Sequence, residues 1–203
     1  MRDCIFTAHC MEQICDKSCP AFVETNYLLE RNNLINSNSV YAASPDTIQT
    51  MVNVLNRCKD SFGVHIVTNG STIDSADLLT YCAICKYWKG SQLHLSVYHL
   101  RYLQYLESTK QSWSSNRDDD NLEYTNIWIR SAKVLIISSI DYVNFGEFEA
   151  QTLLSLIQAR QSQSLTTIIV SPPLRSLVST KSSFFFTTLK RMMETHCKEV
   201  KDR

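Results

Sequence analysis

Glycine is scarce in this chain, with four in 203 residues and only four prolines beside them. So few glycines argue against an all-β architecture, whose tight turns need residues free to adopt positive φ. Charge of one sign is also lacking, since 20 Lys and Arg balance 20 Asp and Glu. A protein that holds nucleic acid tightly by itself carries a basic field, because phosphate contacts supply most of that affinity. Any DNA contact here is therefore expected to be indirect or weak. The stretch from Arg175 onward does carry seven Lys and Arg against three acids, which reads as a solvated helix face. No apolar run approaches the ~18 residues of a membrane span. The opening MRDCIFTAHCMEQICDK is too polar for a secretory signal, so a cytoplasmic protein with reduced thiols is expected.

Cysteine is what the chain has in excess. Cys4, Cys10, Cys15 and Cys19 fall within the first nineteen residues, spaced C-x5-C-x4-C-x3-C-P, with His9 as an alternative ligand. Four soft ligands in so short a segment suit tetrahedral zinc, whose binding would supply the folding free energy that a coreless segment lacks. The other reading is four small buried thiols on irregular turns. Cys82 and Cys85 form a C-x2-C inside a helical pattern and are read as core packing. The segment AFVETNYLLERNNL, apolar at 22, 23, 27, 28, 29 and 34, is a helix docking one face. The expected organisation is a Cys-rich, zinc-binding module plus helix over 1–37, then an α/β domain over 44–203.

In that second part, Ser44 and Pro45 signal a helix start, as cap and first helical residue. Apolar strands are expected at 64–67, 93–97, 134–138 and 167–171, with helices between them and QSWSSNRDDDNLEY as a polar loop. Strands alternating with amphipathic helices imply a parallel sheet covered by helices on both faces.

Between the strand FGVHIV and the helix LLTYCAICKYW lies VTNGSTIDSADLL, which has the outline of a phosphate-binding loop. The motif is G-x-x-x-x-G-K-[ST]. Counting from Gly70, Ser75, Ala76 and Asp77 stand where Gly, Lys and Ser or Thr belong. A second landmark of phosphate-loop enzymes is a carboxylate pair ending an apolar strand. Here VLIISSIDY places Ser138 and Ser139 in those positions, and TTIIVSPP places Ser171 where the next strand carries a polar γ-phosphate sensor. Asp141 could replace the missing acid only if the strand ended later than its pattern indicates.

The order and spacing of these elements resemble AAA+ ATPases of the helicase-loader type, including phage and mobile-element versions, some of which carry a Cys-rich N-terminal segment. The resemblance covers nearly the whole chain, and it implies a P-loop NTPase core with a degenerate nucleotide site. Ala76 offers no cation to the phosphates, Asp77 adds an anion beside them, and Ser138 and Ser139 cannot hold Mg²⁺, so neither ATP nor Mg²⁺ is expected to bind. The resemblance and these departures from it together imply a pseudo-ATPase, a binding subunit or adaptor of DNA replication. It would act in the cytoplasm, that of the host cell if phage-encoded. Its expected partner is a replicative helicase or an active AAA+ subunit, within an oligomer in which Arg191 is the candidate inter-subunit arginine. The alternative is a zinc-dependent nucleic-acid-binding or regulatory protein with an inert α/β body. A third reading is an active ATPase with an unconventional loop.

Overall fold

The apolar runs meet in one sheet of five parallel strands, ordered β2-β3-β4-β1-β5. The computed structural model describes residues 20–57, 63–88, 97–115, 120–173 and 184–201. The strands are β1 (Gly63–Val67), β2 (Val97–Arg101), β3 (Val134–Ser138), β4 (Thr166–Ser171) and β5 (Lys198–Lys201). Around them run α1 (Pro20–Arg31), α2 (Asn38–Tyr41), α3 (Pro45–Arg57), α4 (Thr72–Trp88), α5 (Tyr102–Ser115), α6 (Asp120–Ser131), α7 (Glu147–Ser162) and α8 (Phe184–His196). The fold is α/β, a parallel sheet with helices on both faces.

Side-chain alternation along each strand divides the interior in two. Val64, Ile66, Val134, Ile136, Ile168 and Val170 face one way and pack with Leu29, Val54 and Leu79 from α1, α3 and α4. Leu100, Leu135, Ile137 and Ile169 face the other way and pack with Tyr102, Ile129, Leu153 and Met193 from α5 to α8. Both faces of the central strands are dry, which is why VLIIS and TTIIV read as unbroken apolar runs.

The segment after the cysteines joins this core. α1 ends in a Schellman turn: Leu34 N–H donates to the Leu29 carbonyl at 2.8 Å and Asn33 N–H to that of Glu30 at 2.9 Å. Asn33, with φ of 56°, takes the left-handed position where asparagine is tolerated. The turn buries Leu34 completely and places Asn32 against edge strand β2. There the Asn32 amide imitates a neighbouring strand, accepting from His99 N–H at 2.7 Å and donating to the Val97 carbonyl at 3.2 Å. Among the described residues, the helix of the expected 1–37 module therefore shares one core with the α/β body. Cys4, His9, Cys10, Cys15 and Cys19 lie outside the described residues.

Three elements differ from the sequence reading. The second strand is VYHLR, beginning where the expected strand 93–97 ends, and α5 starts only at Tyr102. Apolar spacing at 100, 103 and 106 suggests a helix from Tyr98, yet Tyr102 and Leu106 are the buried residues of α5. A fifth strand, KEVK, looks in sequence like the tail of the last helix because Val200 is its one apolar residue. The polar stretch expected as a loop is largely helical, α5 reaching Ser115 and α6 starting at Asp120.

Candidate functional site

In open parallel α/β sheets, ligands sit beyond the carboxyl ends of the strands, where successive crossovers take opposite faces. Here that place is the junction of β1 and β4. The crossover after β1, α4, packs in the layer of α1 to α3, whereas α8, after β4, packs in the opposite layer. Thr68 N–H continues the pairing, donating to the Ser171 carbonyl at 3.0 Å.

The chain passes from β1 to α4 through Thr68, Asn69, Gly70 and Ser71 alone, and the helix begins at Thr72. Ser75, Ala76 and Asp77 are therefore inside the helix, not at its start, and Ala76 and Asp77 are buried at 0% and 4% exposure. The register is corrected accordingly: Gly70, Ser71 and Thr72 occupy the place where G-K-[ST] opens the helix, and the loop before them is short. Taking Gly70 as the first glycine of a full-length loop puts the motif one helical turn too late.

This short loop bonds two of its own donors, the N–H groups of Gly70 and Asp74. Thr68 Oγ1 accepts from Gly70 N–H at 3.2 Å and lies 3.2 Å from Ser75 Oγ. Ser71, in the position of the lysine, is an N-cap whose Oγ accepts from Asp74 N–H at 3.2 Å. Gly70 N–H is among the groups a phosphate loop turns toward its ligand. Asp74 adds a carboxylate to the first turn of α4.

One contact keeps the layout of a phosphate-loop site. Thr72 Oγ1 donates to Asp141 Oδ1 at 3.0 Å. β3 does end at Ser138, as its pattern indicates. Ser139 then takes a left-handed conformation, φ 62° and ψ 21°, and a 3-10 turn over Ile140–Tyr142 swings Asp141 back to the start of α4. Asp141 thus reaches the helix start without any extension of the strand.

Asp77 and Ser138 are brought together through a residue with no signal in the sequence reading, His99. Its Nε2 meets Ser138 Oγ at 2.7 Å, and its Nδ1 lies 3.0 Å from Asp77 Oδ1, off the line of a good hydrogen bond. Asp77 Oδ2 also accepts from Ser37 Oγ at 3.0 Å, with the Arg101 guanidinium 3.4 Å from the carboxylate. Burial alone would raise the Asp77 carboxyl, but His99, Arg101 and Ser37 outweigh it and hold the group below its ordinary value. Burial lowers His99, so its imidazole is neutral near pH 7. With its proton on Nδ1 toward Asp77, Nε2 accepts from the serine. An acid, imidazole and hydroxyl in line resemble a hydrolytic triad, but Ser138 is wholly buried. Nucleophilic attack needs access, and this network binds α2, α4, β2 and β3 to one another instead.

Ser171 is likewise committed. Its hydroxyl donates to the Pro172 carbonyl at 2.8 Å, so the 2.7 Å contact with His65 Nε2 has the imidazole as donor. Burial lowers His65 as well. Ser139 Oγ lies 3.5 Å from that of Ser138. Arg191 is exposed on α8, apart from these groups in the chain. Among the described residues, no group of three metal-ligating side chains converges and no helix is long and apolar enough to cross a membrane.

A better strand register would have exposed the network, because His99 and Arg101 alternate onto the α4 side of β2. Asp141 left only a faint signal, an acid just past an apolar strand.

No family model matches the chain and no curated protein does. Among solved structures, it is similar to domain III of the replication initiation protein DnaA from Thermotoga maritima, with a TM-score of 0.56 and 12% identity. The alignment covers 79% of this chain and 64% of that one, so this chain spans less than two thirds of that structure's length. At such low identity the likeness concerns the fold alone, a parallel α/β sheet covered by helices.

Proposed function

We propose that this protein is a catalytically silent AAA+-like subunit or adaptor of DNA replication, acting by assembly with a helicase or an active AAA+ ATPase. The observation that carries the reading is the loop between β1 and α4. It has the position of a phosphate loop, yet the Thr68 and Ser71 hydroxyls accept from the N–H groups of Gly70 and Asp74, and Ser71 stands where the lysine would. Of the supporting machinery, only the Thr72–Asp141 contact keeps to the expected plan; the Ser138 oxygen is bonded to His99, and the Ser171 oxygen accepts from His65 while its proton goes to the Pro172 carbonyl. The similarity to domain III of a replication initiation protein supports the setting.

The partner is tested by isolating the tagged full chain from its native cell and measuring the mass of what it carries by sedimentation. A hexameric helicase or an intact AAA+ ATPase in defined stoichiometry is the expected result. A monomer that instead binds DNA with a steep salt dependence contradicts the adaptor role and favours a nucleic-acid-binding protein. The same preparation is expected to hold about one zinc per chain on Cys4, Cys10, Cys15 and Cys19, as four closely spaced thiols imply. Metal analysis finding none after chelator-free purification contradicts that assignment, and loss of zinc on changing His9 but not Cys10 transfers a ligand to His9.

A further inference from the structure

A cavity of about 180 Å³ lies between the turn after α1, edge strand β2, α5 and the start of α6. Arg31 and Arg101 line it together with Gln104, Ser108, Asn121 and Thr125, and none of its described lining residues is acidic. Two guanidiniums among neutral amides and hydroxyls make a concave surface of donors, with Asp77 beside Arg101 alone.

Arg31 is the less satisfied of the two. It stacks on Trp128, 3.9 Å from the ring centroid, and donates through Nη2 to the Val97 carbonyl at 2.8 Å. Those contacts fix its orientation but supply no counter-charge. Its Nε is buried without a hydrogen-bond partner, and no described carboxylate lies within ion-pair distance of it. Burial also lowers its pKa, the direction expected of a cation short of an anion. Arg101 has Asp77 for company, at 3.4 Å and shared with Ser37 and His99. Unlike Arg160, which satisfies its guanidinium with neutral oxygens, Arg31 keeps an unbonded Nε and no counter-charge among the described residues.

We propose that this cavity at the β2 edge binds a small phosphomonoester dianion. Guanidinium groups match the geometry of phosphate oxygens and can hold them through paired N–H donors. The space is below the roughly 300–1,000 Å³ of drug-sized sites, so the ligand is a phosphate carrying a small substituent. None of Thr68 to Ser71, the β1–α4 loop, lines this cavity.

The test follows backbone and side-chain amide signals of the full chain by NMR during titration with inorganic phosphate and with ribose 5-phosphate, at constant ionic strength. Saturable shifts at Asn32, Gln104, Ser108 and Asn121 at millimolar ligand or below are expected. Gln104 is exposed, so Gln104→Glu places a carboxylate among the arginines without disturbing the core. It should weaken binding by about 10-fold or more, whereas Gln151→Glu, the same charge change on α7, should leave it unaltered. Shifts that never saturate, equal shifts with sodium chloride, or unchanged affinity in Gln104→Glu overturn the proposal. So does tighter binding of a single-stranded oligonucleotide lacking terminal phosphate, which would make the cavity a nucleic-acid contact.

Discussion

His65 and His99 are buried at 2% and 6% exposure, each bonded through Nε2 to a serine on the adjacent strand. Burial holds both below the ordinary histidine value of 6.5. As pH falls from there, the unfolded chain takes up protons that the folded chain refuses, so stability rises with pH in that window and falls with acid. Asp77 adds a later loss: its lowered pKa contributes stability above the ordinary 3.8, lost as pH falls through the folded value. The thermal unfolding midpoint should therefore fall from about pH 6.5 downward, well before the carboxylate range. Replacing both histidines with Gln, which keeps a nitrogen donor at the same reach, should flatten the slope between pH 6.5 and 5. An unchanged slope in His65→Gln/His99→Gln contradicts the assignment of neutral buried imidazoles. Arg160 shows how far the interior tolerates charge, since it is 1% exposed and meets only neutral oxygens. Its guanidinium donates to the carbonyls of Ile129, Ala132 and Thr166 and to the Thr167 hydroxyl, joining the end of α6 to β4, and burial lowers it to about 10.

Helix α4 shows what an element decides that single residues do not. Counting along the sequence makes Ala76 the counterpart of the phosphate-binding lysine. The N-cap at Ser71 starts the helix earlier and turns Ala76 into the core, where it is 0% exposed. Ala76→Lys should therefore bury an unpaired ammonium and destabilise the protein by about 3–5 kcal/mol, measured by chemical denaturation. Ser71→Lys, at an exposed position, should cost only the lost cap, about 1 kcal/mol. Equal effects of the two changes would return the loop to the longer register. Much of the rest was legible because composition and period coincide: β1, β3 and β4 lie where their apolar runs end, and Ser44 and Pro45 open α3 with Thr47 N–H on Ser44 Oγ at 3.2 Å. β2 and β5 were not legible, for a physical reason in each case. β2 lies at an edge, carries His99 and Arg101 inward, and depends on Asn32, a residue 67 positions away from His99 in the chain. β5 has a single buried side chain, Val200, and exists because β1 offers it an unpaired edge.

At the scale of the whole molecule, the parallel sheet is intact while the polar groups at its carboxyl ends are engaged with one another. Hydroxyls cap the loop, Ser138 and Asp77 are joined through His99, and Ser171 is bonded to His65. A triphosphate would have to displace these bonds and would find Asp74 and Asp141 at the helix start, with Ser71 in place of the lysine. Each charged partner missing from such a site costs about 3–5 kcal/mol, which carries a micromolar affinity into the millimolar range or beyond. The most direct test is titration calorimetry of the full chain with ATP and ADP, with and without Mg²⁺. A Gln104→Glu version run alongside separates any phosphate heat that originates at the β2 edge. The account predicts no saturable binding at micromolar nucleotide in either protein; a micromolar dissociation constant that persists in Gln104→Glu and is lost in Thr72→Val would contradict it.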